Sequence, residues 1–347
     1  MKKLVAGLFF AIPGLLTAQE KPEPHLKNLR QISFGGDNAE AYFSPDSKKI
    51  AFQSNNKKWG LSCDQIFMMD LQNPIKDSTQ KANLISTGKG RTTCSYYMPD
   101  NKHILYASTH LGSESCPPEP PPSGKYLWAI YPDFDIFVAD EKGTLVKQLT
   151  KTEGYDAEAT VSPKGDKIVF TSTRNGDLDL YIMDIDGRNV KQITFGLGYD
   201  GGAFFSPDGK KLVFRASRPQ TEQEIAEYKE LLAKGLVAPT NMEIYTCNVD
   251  GSDLKKITSL GKANWAPFYH PSGKKIIFSS NHHSARGYDF QLYMINEDGS
   301  GLEQITFNSM FNAFPMFSPD GKKLIFSSNR NNGGTRDTNL FLADWKD

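Results

Sequence analysis

Six side chains recur at one register of this sequence, six residues ahead of a repeated Ser-Pro-Asp turn or its substitute: Asn38, Thr92, Asp156, Asp200, Asn264 and Asn312. Short oxygen-bearing side chains gathered in one place suit two tasks, holding a hard cation such as Ca²⁺ or bonding the backbone of a bound peptide. The same residue types also serve turns by bonding their own backbone, and repetition in every copy is what a purely structural role requires. A second register, after the strand that follows each turn, carries Asn56, His110, Arg174, Arg218, His282 and Arg330. Arginine there suits either a carboxylate-bearing ligand or a hydrogen-bond partner within the scaffold. His110 and His282 depart from it and bring imidazole chemistry. Trp128 belongs to a third group, the aromatic run Tyr126-Leu127-Trp128-Ala129-Ile130-Tyr131, which offers a large apolar contact surface.

The elements that must carry these residues are short hairpins. Phe317-Ser318-Pro319-Asp320-Gly321-Lys322-Lys323-Leu324-Ile325-Phe326 joins turn chemistry to strand chemistry. Pro presets φ, Asp bonds nearby amides, Gly accepts positive φ, and a β-branched and aromatic run follows. Relatives of it centre on Pro45, Pro99, Pro163, Pro207 and Pro271, with spacings of 54, 64, 44, 64 and 48 residues along the series to Pro319. The shortest is close to the ~40–45 residues of a four-stranded propeller blade, so the longer ones contain insertions. Each hairpin leads to a third strand such as Leu180-Tyr181-Ile182-Met183-Asp184. A fourth follows, as Val190-Lys191-Gln192-Ile193-Thr194 or Leu302-Glu303-Gln304-Ile305-Thr306.

The last hairpin and third strand have no such strand after them, and the missing copy, Leu29-Arg30-Gln31-Ile32-Ser33, precedes the first hairpin. A ring explains the displacement, because an N-terminal strand can complete the final blade and leave no open edge. The expected fold is therefore all-β: a six-bladed β-propeller of four-stranded antiparallel blades, with the N-terminal strand closing the last one.

Around the residues Phe204-Phe205-Ser206-Pro207-Asp208-Gly209-Lys210-Lys211-Leu212-Val213-Phe214, with Gln192-Ile193-Thr194 before and Ile244-Tyr245 after, the chain resembles the TolB-like, PD40-type β-propeller family. The resemblance covers about residues 28 to 345. It implies a propeller, and it implies a partner-binding platform in the bacterial envelope. Some propellers resembling this family are lyases or hydrolases, which implies an alternative in which Asp156, Asp200, Glu158, His110 and His282 act as acid, base or metal ligand at the channel mouth.

Residues 1 to 18 read as a signal peptide, with Lys2 and Lys3 before an apolar core from Leu4 to Leu16 and a small-residue end. Residues 19 to 27 form a short segment, and residues 28 to 347 the propeller. No later apolar run is long enough to span a bilayer. The expected location is periplasmic or secreted, the expected state monomeric. With 40 Lys and Arg against 40 Asp and Glu, net charge gives no pull toward nucleic acid. Four cysteines without Cys-x-x-Cys spacing fit an oxidising compartment. Cys63 or Cys94 can pair with Cys116, while Cys247 reads as a small buried strand residue.

In such a blade the loop entering the first strand and the loop between the second and third lie on one face, here termed the upper face. Two insertions belong to the second kind of loop. One runs from Glu114 to Pro132 and contains Cys116-Pro117-Pro118-Glu119-Pro120-Pro121-Pro122; the other runs from Arg218 to Met242. The latter includes the capping-box pattern Thr221-Glu222-Gln223-Glu224, the apolar stripe Ile225, Tyr228, Leu231 and Leu232, and a stop at Gly235, which predicts one helix of about four turns. The functional expectation is an exported, non-catalytic binding or scaffold protein that recognises a protein or peptide at the upper face and channel mouth. Its alternative is a carbohydrate- or peptide-processing lyase or hydrolase at the same mouth.

Overall fold

In the computed structural model, residues 20–120 and 123–347 are described, so the expected signal peptide at residues 1 to 18 and the pair Pro121-Pro122 lie outside the described residues. Six four-stranded antiparallel sheets follow one another along the chain. Their innermost strands are Asp37–Phe43, Thr92–Tyr97, Asp156–Val161, Asp200–Phe205, Asn264–Tyr269 and Asn312–Phe317. Each hairpin is held by its own turn chemistry. Ser206 Oγ donates to Asp208 Oδ1 at 2.7 Å and accepts from the Lys211 amide at 3.0 Å, and Ser318, Asp320 and Lys323 repeat this at 2.6 and 3.0 Å. Gly209 and Gly321 take φ of +70° and +71° in these turns, a region closed to most side chains.

The fourth strand is shorter than its five-residue pattern suggests. It pairs as Asn83–Leu84, Lys191–Gln192, Lys255–Lys256 or Glu303–Gln304, two residues each, and reaches four in the second blade, at Leu145–Gln148. The Thr of the pattern explains the early end, because its hydroxyl takes over the ladder. The amides of Leu180, Ile244 and Leu292 donate to Thr194, Thr258 and Thr306 Oγ1 at 2.9, 2.8 and 2.8 Å. Each hydroxyl then donates to the side chain that opens the third strand, Asp179, Glu243 or Gln291, at 3.1, 2.6 and 2.8 Å.

The strand Leu26–Gln31 pairs antiparallel with Asn339–Trp345, with Arg30 opposite Leu342 and Gln31 opposite Phe341. It begins three residues earlier than the repeat predicts and bulges between Lys27 and Arg30. Ser33 then supplies the missing Thr: the Leu340 amide donates to Ser33 Oγ at 2.7 Å. The final blade is thus completed by a residue from the other end of the chain, with the same bonding rule as its neighbours.

The core lies between blades. One aromatic per second strand, Phe52, Tyr106, Phe170, Phe214, Phe278 and Phe326, is fully buried at the same register. Removing that apolar surface from water is the main stabilising term, at roughly 25 cal/mol per Å².

The two insertions meet. Trp128–Ala129 and Leu236–Val237 pair antiparallel as a separate two-stranded ribbon, so both excursions lie on one face. The helix Glu222–Ala233 closes its N-terminus with the expected capping box, Thr221 accepting from the Glu224 amide at 3.2 Å. Its 12 residues make it somewhat shorter than four turns. Tyr228 is its one buried side chain and donates to Asp177.

Of the pairings the sequence leaves open, Cys63–Cys116 is the disulfide, with Cα atoms 5.7 Å apart; Cys94 and a buried Cys247 are free. The bond ties the first blade to the proline-rich insertion, beside Arg91, which pairs with Asp64 at 3.1 Å and with Glu119. Changing Cys63 and Cys116 together to Ser releases a loop of 53 residues. Stability should fall by about 2–4 kcal/mol. The shift of the urea midpoint checks this.

Candidate binding face and axial channel

The six register residues that head the innermost strands are buried; five of them are hydrogen-bonded within the protein, and Asp200 is held as an ion pair. Asn38 Nδ2 donates to Gly35 O and Thr338 O at 3.0 and 2.9 Å, and its Oδ1 accepts from Ser54 at 3.0 Å. Thr92 donates to Asp64 O at 2.9 Å. Asn264 donates to Met242 O at 2.8 Å and accepts from Ser280 at 2.6 Å. Asp156 accepts from Arg174 Nη2 at 2.9 Å through both oxygens, Asp200 lies 2.6 Å from Arg218 Nη1, and Asn312 accepts from Arg330 at 2.9 Å. The two registers of the sequence are therefore partners: where the first is Asp, the second is Arg from the same blade. Burial pushes Asp200 up to about 6 against the pull of Arg218, and raises Asp156 against Ser172 and Arg174. Except in Asp200, which meets Arg218 at ion-pair distance without a hydrogen bond, these side-chain atoms bond to groups of the protein itself, as struts between strands do.

His110 and His282 sit in blades two and five. Each binds the Ser two residues before it, Ser108 or Ser280, at 2.9 Å, and each packs on an aromatic ring, Phe137 at 4.4 Å or Tyr293 at 4.6 Å. Burial lowers both from the usual imidazole range. Among the described residues, no three His, Cys, Asp or Glu side chains come together as a metal-binding group.

Glu158 and Cys94, singled out one by one in the sequence, belong to a shared register two residues after the first. Each innermost strand bulges there, putting Glu40, Cys94, Glu158, Gly202, Ala266 and Phe314 at φ between +45° and +59°. All six line one axial cavity of about 20 Å³. Five of them hold a left-handed conformation with a side chain, at a cost of ~1–2 kcal/mol apiece. The gain is an inward aim at the axis. Their mixed identities, two carboxylates, a thiol and a phenyl among them, were visible as variation at one register of a repeat; nothing local in the sequence announced the bulge.

Glu158 is the hub of this channel. It accepts from Tyr199 Oη at 2.6 and 2.7 Å, from Thr171 at 3.1 Å, from the Gly202 amide at 2.5 Å and from Arg215 Nη2 at 3.0 Å. A Cβ at Gly202 would stand 2.5 Å from Arg215 Nη1, so a larger residue there would have to push the guanidinium away from Glu158. Burial holds Glu40 above the usual carboxylate range, and burial with the nearby Glu40 charge pushes the Cys94 thiol well up, which leaves it a poor nucleophile. Above the channel the Arg215 guanidinium lies 5.0 Å from the Trp128 ring and 5.4 Å from the Tyr199 ring. Trp128 is therefore placed at the upper mouth by the ribbon, where it packs against Trp265 at 5.3 Å.

Beside this roof opens a cleft of about 780 Å³, between the insertions and the upper loops of the last two blades. Its wall is aromatic: Trp265 stacks on Phe290 at 4.4 Å, Tyr126 approaches Trp265 at 6.1 Å, and Phe311 meets Phe290 at 5.8 Å. Tyr126 and Tyr288 leave 58% and 74% of their surface exposed at its rim, more than a folding core would leave.

Six antiparallel blades sharing one axis and closed by a strand from the other end make this a six-bladed β-propeller with a roofed upper mouth. The TolB beta propeller domain family, PD40, matches residues 131–235 and 229–341. The chain belongs to the TolB-like β-propeller family. It is similar in structure to a putative TolB from Agrobacterium tumefaciens, at 20% identity and a TM-score of 0.59, over 90% of this chain and 91% of that one. It is also similar to TolB from Acinetobacter baumannii, at 19% identity and a TM-score of 0.54, over 90% of this chain but 64% of that one. An oligogalacturonate lyase in complex with manganese lies further off, at 14% identity and a TM-score of 0.48 over 90% of both chains. At these identities the likenesses speak for the fold. No curated protein matches the sequence.

Proposed function

We propose that this protein is an exported, non-catalytic partner-binding propeller of the bacterial envelope, with its recognition surface on the upper face. The observation that carries the reading is the union of two insertions, more than 100 residues apart in sequence, in one ribbon that roofs the channel and walls an aromatic cleft. Loops on a rigid scaffold commonly carry function, and exposed aromatic surface beside a preformed cleft is the usual make-up of a binding site. The carboxylates a hydrolase or lyase would use are instead neutralised by cations of the protein itself: Asp156 by Arg174, Asp200 by Arg218, Glu158 by Arg215. Export rests on the basic and apolar pattern of residues 1 to 18. No described helix is long and apolar enough to cross a membrane.

The test is affinity capture from envelope extracts with the full mature chain, comparing Tyr126→Ala/Tyr288→Ala with Lys210→Ala on the lower face. Recovery of a discrete partner should fall about tenfold or more for the first variant, as loss of two aromatic anchors implies, and stay at the wild-type level for the second. Equal recovery from both would overturn the upper-face reading.

A further inference from the structure

The cleft beside the roof has a chemistry that narrows what it takes. Resting on the upper-face reading, we propose that it binds a short peptide segment in which a carboxylate adjoins a large apolar side chain. Three cations stand on its wall, Lys125, Lys262 and Arg286, against the single carboxylate of Glu227. Lys125 neutralises Glu227 at 2.6 Å, and Lys262 donates to His282 O at 3.2 Å and to Ser284 O. Arg286 is exposed and keeps its guanidinium free of ion pairs among the described residues. A planar guanidinium at the rim of an apolar cleft matches a carboxylate bidentately. The excess positive charge disfavours a cationic occupant and favours an anionic one.

The remaining polar groups separate a peptide from a sugar. A pyranose ring needs several free directional donors and acceptors for its hydroxyls, since unpaired polar groups in a closed site are costly. Here the Asn281 side chain is used at both ends, accepting from the Ala263 amide at 2.9 Å and donating to Gly287 O at 2.8 Å. The wall that remains is mostly carbon, from Trp265, Phe290, Phe311 and the rings of the two rim tyrosines, with the hydroxyls of Thr240 and Tyr288 confined to its edge. Such a wall takes a phenyl or branched aliphatic side chain, and the free cation takes the charge next to it.

Calorimetric titration of the full mature chain with three acetylated probes tests this. The first ends in Ala-Ala-Phe with a free carboxylate, the second is its C-terminal amide, and the third carries an internal Asp-Phe pair before an amide. The free acid or the Asp-Phe probe should bind about tenfold tighter than the plain amide, the worth of one charge-assisted contact; which of the two does so tells a chain terminus from an internal acidic residue. Arg286→Gln should remove that advantage and leave the amide unchanged, a readout that loss of folding would not give. Binding of the free acid and of the Asp-Phe probe no tighter than that of the plain amide, or Arg286-dependent binding of an acidic oligosaccharide but no peptide, overturns the inference. If no probe binds while the capture experiment still depends on Tyr126 and Tyr288, this inference fails and the upper-face reading stands; if both fail, both are lost.

Discussion

A chain shortened to begin at Gly36 should fail to give a folded monomer. The strand Leu26–Gln31 covers the edge of Asn339–Trp345, and the same segment buries Ile32 and Leu26, exposed by only 1% and 8%. Burying an aliphatic side chain is worth ~1.5–3 kcal/mol, so two of them approach the net stability of ~5–15 kcal/mol that a domain commands. The Leu340 amide would also lose its Ser33 acceptor, and an unsatisfied buried donor costs ~1–3 kcal/mol. The uncovered edge would then offer a template for pairing between chains. Expected results are loss of the cooperative thermal transition and oligomers on gel filtration. The milder Ile32→Ala should keep the fold and cost ~2–5 kcal/mol in denaturant titration. A shortened chain that melted like the whole protein would show that the ring does not depend on its latch.

The second large effect belongs to the channel. Glu158 and Arg215 are 6% and 8% exposed in their side chains and 3.0 Å apart, each from a different blade. Removing one partner leaves the other charge buried and alone, which costs ~3–5 kcal/mol, whereas replacing both with apolar residues of similar size is often close to neutral. Arg215→Met should therefore destabilise strongly, with Glu158→Leu comparable. The joint variant should recover much of the loss, giving a coupling of ~2 kcal/mol or more in a double-mutant cycle. Additive losses would mean that the two charges do not need each other, and that Tyr199 and Thr171 suffice for Glu158.

Much of this architecture was legible because it is repeated. The Ser-Pro-Asp-Gly turns, the Thr of the fourth strand and the misplaced copy before the first hairpin each have one local physical cause and recur, so the blade count and the closure followed from spacing alone. The helix was legible through Thr221 and Glu224, whose capping box needs only four residues. The ribbon of Trp128–Ala129 with Leu236–Val237 was not: two residues show no periodicity, and their pairing is set by where two distant insertions land. The bulge that turns Glu40, Cys94 and Glu158 toward one cavity was not legible for a related reason, since these residues carry no left-handed preference and are held there by the sheet around them, even though Glu158 and Cys94 drew notice on their own. The polar register led by Asn38, Asp156 and Asp200 could be read two ways from sequence, as ligand set or as strut, because both uses want the same short oxygen-bearing side chains. Their bonds to Ser54, Arg174 and Arg218 favour the strut.

The upper-face assignment is tested most directly by site-specific photo-cross-linking in intact cells. A benzophenone side chain is placed in turn at position 288, on the cleft rim, and at position 210, in a lower turn. A discrete higher-mass adduct should form from position 288 and not from position 210. Adducts from 210 alone would move the recognition surface to the opposite face and contradict the account.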